Sequence, residues 1–227
     1  MLPAPVIEMV GGVMVVRDDL IAGGTKRRAI PLLLTGADEF VYASPVYGYA
    51  QVALAHACTE LGKRATIFTA KRSALHPRTA EAKRAGAKIV MVAYGYLSNV
   101  QSKARAYCEA TGAALLPFGL DTPVMRDGIA EIAAGLDVDP AQVITVAGSG
   151  TLTRALQMAW AGAEFIAVQV GRSPDIGRAR LLVAPEKFED DARQRPPFPS
   201  CSNYDAKAWR FVRQVAGPGA LFWNVAA

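Results

Sequence analysis

With 227 residues and 52% hydrophobic content, the chain is long enough for one large domain or two smaller lobes and can bury a core. No apolar run reaches the ~18–20 residues of a membrane helix, and the Met-Leu-Pro-Ala-Pro start lacks the basic and apolar regions of a secretory signal, so a cytoplasmic protein without a membrane partner is expected. The net charge of +5 is dispersed; such a surface attracts phosphate groups, nucleic acid included, but no nucleic-acid-binding motif accompanies it and solvated charge accounts for it.

The three cysteines (Cys58, Cys108, Cys201) are widely spaced, and the two histidines (His56, His76) form no cluster with them, so neither a disulfide framework nor a metal site is expected.

In chain order, the first informative stretch is Arg17 to Ala29 followed by the apolar run Ile30 to Leu34. Lys26 stands directly after Gly23-Gly24-Thr25 at the mouth of a short apolar helix, where an amine can be held out of water. A lysine titrates near ~10.4 unless burial or a neighbouring positive charge lowers that value, and Arg27 and Arg28 are such neighbours. An amine so tuned suits Schiff-base chemistry with an aldehyde-bearing cofactor. Lys26 also reads, more plainly, as one of three basic residues on a solvated helix start.

Strands and helices then alternate. Phe40–Ala43 reads as a buried strand, Gly48–Leu61 as a helix closed by Gly62, and Ala65–Phe68 as the next strand. His76-Pro77 opens a helix through Arg84, Lys88–Val92 is β-branched strand, Asn99–Ala110 is helical before Gly112, and Ala114–Pro117 is a strand. Three such units in a row predict an α/β fold with parallel twisted sheets flanked by helices.

Further on, Val143–Ala147 and Glu164–Val170 read as strands around a helix at Leu152–Ala161. The turn Gly148-Ser149-Gly150-Thr151 lies between the first strand and the helix. There, converging backbone N–H groups and the helix dipole make a phosphate cradle; a tight turn that needs glycine for its dihedrals is the other reading.

From Ala184 to Asn203 periodicity fails, and the proline-stiffened Arg195–Cys201 is expected to lie over a cleft. Tyr204 and Asp205 precede Lys207, and a turn at Gly217-Pro218-Gly219 leads into an aromatic final strand. Taken locally, Tyr204 and Asp205 also suit the start of a helix from Ala206.

The order of these parts resembles the tryptophan-synthase-β-like, fold-type-II family of pyridoxal 5'-phosphate enzymes, most closely its branch of 1-aminocyclopropane-1-carboxylate deaminase and D-cysteine desulfhydrase. Arg17-Asp18-Asp19 and Gly23-Gly24-Thr25-Lys26-Arg27-Arg28 stand where that branch has its cofactor-lysine segment. Gly148-Ser149-Gly150-Thr151 matches its phosphate turn, Tyr204-Asp205-Ala206-Lys207 its Tyr-x-Gly-Lys element, and Gly217 to Phe222 its closing strand. The resemblance implies a two-lobed fold: 1–36 with 117–227 as a larger cofactor-binding lobe and 37–116 as a smaller lobe inserted in it.

It further implies that Lys26 forms the Schiff base, that Gly148 to Thr151 hold the cofactor phosphate, and that Asp205 keeps the pyridine nitrogen protonated while Tyr204 serves as acid or base. The family's substrate-carboxylate loop falls on Ser44-Pro45-Val46-Tyr47-Gly48-Tyr49, with Tyr49 where an asparagine is usual. Ser44, Tyr47 and Tyr49 are therefore the expected substrate contacts, with Tyr49 also against the cofactor. The chain is shorter than ordinary relatives, which implies a wider or partner-completed cleft.

The expected activity is a lyase or deaminase acting by elimination at the α-carbon of a small amino-acid-like substrate, in a homodimer. Two alternatives stay open: decarboxylation or side-chain replacement on an amino-acid adduct of a nucleotide or DNA, and a catalytically silent module that binds the cofactor.

Overall fold

The computed structural model describes residues 2–93, 96–171 and 174–227. Two compact units make up the chain: Met1–Thr25 with Pro123–Ala227, and Lys26–Thr122. The division falls immediately before Lys26 and after Thr122, not at the expected 36/37 and 116/117. The reason is packing: the segment after Lys26 lies on the first helix of the inserted unit, and Lys26 itself bonds to Gly119.

The first unit opens with β1 (Ile7–Val10) and β2 (Val13–Arg17), an antiparallel hairpin. Its turn is Gly11-Gly12, both at positive φ (58° and 83°), the backbone that a two-residue hairpin turn requires.

The second unit begins at α1 (Lys26–Ala29), a single turn that passes into a 3-10 segment at Ile30–Leu33. Pro31 lacks the N–H that would continue an α-helix, so the expected apolar helix is short and split. There follow β3 (Glu39–Ala43), α2 (Ala50–Glu60), β4 (Arg64–Ala70), α3 (Pro77–Arg84), β5 (Lys88–Val92), α4 (Leu97–Thr111) and β6 (Ala114–Leu116). The sheet is wholly parallel in the order β5-β4-β3-β6, with Tyr42 paired to Ile67 on one side and Leu116 on the other.

One face of this sheet packs Val41, Ala43, Phe68 and Val92 against Val100 and Ala104 of α4. The other face carries α2, whose buried side runs through Val52, Ala53, Leu54 and Ala57. Because β3 and β4 are covered on both faces, they read as continuous apolar runs, not as alternation.

The first unit resumes with α5 (Pro123–Ala134), β7 (Gln142–Ala147), α6 (Thr151–Ala159), β8 (Glu164–Gln169), β9 (Arg180–Val183), α7 (Trp209–Val215) and β10 (Ala220–Asn224). Its six strands run β1-β2-β10-β7-β8-β9, parallel except for the β1 hairpin. Val15, Ile144, Val146, Ile166 and Phe222 form the core, closed by Trp209 and Phe198. Burying side chains of this kind contributes about 1.5–3 kcal/mol each. Phe198 stands edge-on to Trp209 at 5.0 Å, so the proline-rich loop packs onto the core of its own unit.

Among the described residues, no helix is long and apolar enough to cross a membrane.

Candidate active site

In an open parallel sheet the strand ends converge where the direction of winding reverses, and ligands collect at the carboxyl ends there. In the second unit that point lies between β3 and β6, since β4 and β5 follow on one side of β3 and β6 on the other. The segments leaving those two ends are Ser44–Tyr49 and Pro117–Asp121.

Lys26 reaches this point: its Nζ donates to the Gly119 carbonyl at 2.7 Å. Gly119 is at φ 72° and Leu120 at φ 54°, the one non-glycine in the left-handed region among the described residues. A buried leucine held there marks a segment whose shape its surroundings dictate. The Gly119 N–H is taken by the Tyr42 hydroxyl at 3.3 Å, and burial pushes that phenol up to about 12.

Burial lowers the Lys26 ammonium to about 8, opposed by the negative charge of Asp121. At pH 7 about one amine in ten is then unprotonated, against roughly one in three thousand at an ordinary lysine value. The depression was expected from Arg27 and Arg28, but desolvation carries it. Arg27 is buried and paired with Glu60, so its charge is spent elsewhere.

The substrate loop is tightly tied. Ser44 is buried, with its hydroxyl on the Pro45 carbonyl at 2.8 Å, and the Gln51 amide donates to Val46 and Gly48 carbonyls at 3.1 and 3.0 Å. Tyr49 is the last residue before α2, and the Arg78 guanidinium lies over its ring, 4.1 Å from the centroid. Arg78 also donates to the Tyr47 carbonyl. Sequence reasoning passed over Arg78, Gly119 and Tyr42. Gly119, a glycine at a strand end, was the one visible sign, because the contacts join positions 31 to 93 residues apart.

In the first unit, Gly148-Ser149-Gly150 joins the end of β7 to the start of α6, a nine-residue helix whose N-terminus carries positive potential. Gly150 is at φ 82°, and a Cβ there would stand 1.7 Å from the Asp175 carbonyl oxygen. The Ser149 and Thr151 hydroxyls are 2.9 Å apart. Only glycine allows this path, so the dihedral requirement and the anion-binding geometry coexist in one turn.

Tyr204 belongs to the same construction. Its hydroxyl oxygen accepts from the Gly148 N–H at 2.9 Å, and burial together with the nearby Asp205 charge raises its pKa well above the ordinary phenol value. Asp205 is fully buried, and its Oδ2 accepts from the Ala226 N–H at 3.2 Å. A 3-10 segment at Asp205–Ala208 then leads into α7. Lys207, also buried, donates to the carbonyls of Lys187 and Phe188 at 2.6 and 3.2 Å and so fastens that loop.

The stretch before Lys26 is fixed in the first unit as well. Gly24 (φ 64°) lies against the Val225 carbonyl, where a Cβ would be 2.2 Å away. Thr25 N–H donates to that carbonyl at 3.1 Å, and the Trp223 indole donates to Asp18 Oδ2 and Thr25 Oγ1 at 3.0 and 2.9 Å. The Gly-Gly-Thr motif is thus a close backbone approach to the end of β10.

No protein-family model matches the sequence, and no curated protein does. Among solved structures the chain is similar to an ACC deaminase homologue, at 16% identity and TM-score 0.83, covering 99% of this chain and 90% of that one. It is also similar to the processed form of threonine deaminase isoform 2 from Solanum lycopersicum, at 14% identity and TM-score 0.71, covering 98% and 79%. A third likeness is to apo diaminopropionate ammonia lyase from Escherichia coli, at 16% identity and TM-score 0.65, covering 95% and 78%. The chain thus spans most of each structure, and the shortening expected from the sequence is small against the first of them. The fold expected from the resemblance, that of the fold-type-II enzymes, is the fold of this chain.

Proposed function

We propose that the chain is a pyridoxal 5'-phosphate-dependent enzyme acting at the α-carbon of an amino acid or amino-acid-like substrate, with elimination or deamination as the outcome. The observation that carries this reading is the Lys26 amine, brought to about 8 by burial and presented at the carboxyl ends of a parallel sheet. The deaminase and ammonia-lyase structures that share the fold support the elimination branch.

The residues present fit such a cofactor. Lys26 supplies at neutral pH a fraction of the unprotonated amine that condenses with an aldehyde, and the Gly148–Thr151 turn is a backbone cradle of the kind that takes a phosphate. When bound, the cofactor supplies an electron-poor ring that accepts the electron pair left at the substrate α-carbon. Asp205, a buried carboxylate held by a backbone N–H, is suited to keep a proton on the ring nitrogen.

The Lys26 Nζ would serve as the base that takes the α-proton of the substrate. Tyr204 stays protonated throughout the neutral range and so is fit to give a proton, not to take one; its hydroxyl also fixes the first N–H of the turn. Ser44, Tyr47 and Tyr49 are assigned to the substrate side, with Arg78 supporting both tyrosines.

The test is reconstitution of the purified protein with pyridoxal 5'-phosphate. A band near ~410 nm that borohydride bleaches, with the label recovered on the Lys26 peptide, is expected. A protein that takes up no cofactor, or a Lys26→Ala variant that still gives the borohydride-stable label, overturns the reading. A panel of amino acids then separates ammonia release from decarboxylation or replacement, and a holoprotein that turns over none of them is the silent module. Sedimentation velocity checks the expected homodimer.

A further inference from the structure

We infer that the second unit carries a small-anion subsite at the carboxyl end of β4, built by Thr69, Arg72, His76 and Thr79 and suited to one carboxylate or phosphate group of a small molecule. It uses none of the residues assigned above to cofactor or substrate, and it does not rest on the proposed function.

Thr69 on β4 is in register with Met91 on β5, so both side chains leave the sheet on the same face, next to the start of α3. With Val46, Arg72, His76 and Thr79 they line a hollow of about 210 Å3 that opens to solvent. The room inside it is that of a single oxygen-sized group.

Thr69 is only 3% exposed, and among the described residues its hydroxyl has no hydrogen-bond partner. A buried hydroxyl left so is unfavourable, and one oxygen seated on the floor of the hollow relieves it. Thr79 beside it is 1% exposed.

The electrostatics have one sign. His76 Nδ1 accepts from the Arg78 N–H at 3.3 Å, so the neutral ring carries its proton on Nε2 and offers a donor there. The charges acting on this imidazole are the Arg78 and Arg72 guanidiniums, which with burial lower its pKa. Arg72 lies 5.7 Å from the centroid of Tyr47, whose ring meets His76 edge-on at 4.8 Å. No aspartate or glutamate lines the hollow. An anion there meets a guanidinium, an imidazole N–H, buried hydroxyls and the positive end of an eight-residue helix.

Two sources share this chemistry: a small molecule bearing a carboxylate, and a free phosphate. The test follows the ring resonances of His76 and His56, the two histidines of the chain, while inorganic phosphate or succinate is added to the full-length protein at constant ionic strength. A saturable shift at His76, with His56 unmoved, is expected. Response to succinate alone assigns a carboxylate, and response to phosphate alone a phosphate.

Arg72→Ala, at an exposed position, is expected to weaken the apparent affinity about tenfold or more, and Thr69→Val several-fold. Lys26→Ala is expected to leave the response intact, which separates this result from the fate of the cofactor reading. A non-saturating drift, equal movement of both histidines, or an unchanged response in Arg72→Ala overturns the inference.

Discussion

The two units present their strand ends differently. In the first unit the working surface after β7 is backbone: Gly150 is packed so closely against the Asp175 carbonyl that a side chain is excluded, and Gly148 lies against the Tyr204 ring. In the second unit the corresponding ends display side chains, with Lys26 on a carbonyl, Arg78 over Tyr49 and Arg72 over Tyr47. Backbone N–H groups suit a compact anion that stays negative at every working pH, such as phosphate. Side chains can be tuned in pKa and exchanged for specificity.

Four substitutions sharpen or break that contrast. The largest effect belongs to Lys26→Ala, expected to abolish borohydride-trapped attachment of pyridoxal 5'-phosphate, as read by mass spectrometry of the peptides. Gly150→Ala comes next: a Cβ cannot coexist with the Asp175 carbonyl at φ 82°, so a loss of about 2–4 kcal/mol is expected in urea unfolding. An unchanged midpoint would mean that the turn relaxes freely and is no rigid cradle.

Tyr204→Phe removes the acceptor of the Gly148 N–H and is expected to cost about 1–3 kcal/mol, the penalty of a polar group left unpaired. The smallest effect is that of Asp121→Asn. Asp121 favours the charged ammonium, so its removal should carry the Lys26 midpoint further below 8, measured as the pH dependence of imine formation with pyridoxal.

The sign of the pH dependence follows from the same lysine. Its pKa falls from 10.5 in the unfolded chain to about 8 in the folded one, so the unfolded state binds more protons between those values. Lys26 therefore costs stability at neutral pH, and that cost diminishes as pH rises from about 8 toward 10.5. Lys26→Met is expected to flatten this component of the stability curve.

Much of the fold was legible because β3, β4, β7, β8 and β10 are central strands whose apolar runs stand out from the glycines around them. β1 and β9, the edges of the first sheet, escaped notice, although β5 and β6, the edges of the second, were read. Leu181 and Val183 of β9 are exposed, and β1 is only half covered, so neither shows a buried pattern. The Gly11-Gly12 turn was a readable hairpin signal that pattern-matching for long apolar runs overlooks. α5 was missed although Pro123 at its start, and Met125, Ile129 and Ala133 along one buried face, carry the helical period.

In the candidate site, Lys26 and the Gly148 turn were visible as local motifs. The cause of the lysine's altered basicity was not, since it depends on being enclosed and on Asp121, far along the chain. Nor was the Arg78–Tyr49 stack, which needs the β3 and β4 ends side by side. Short-range signals mark which groups do chemistry; long-range packing decides how strongly.

The bond from Lys26 to Gly119 spans 93 residues, almost the whole of the inserted unit. Closing a contact across that separation costs chain entropy that the packing of the unit offsets. In the unfolded chain residue 26 is an ordinary, protonated lysine in water. Its lowered basicity is consequently a property of the assembled second unit and not of the local sequence.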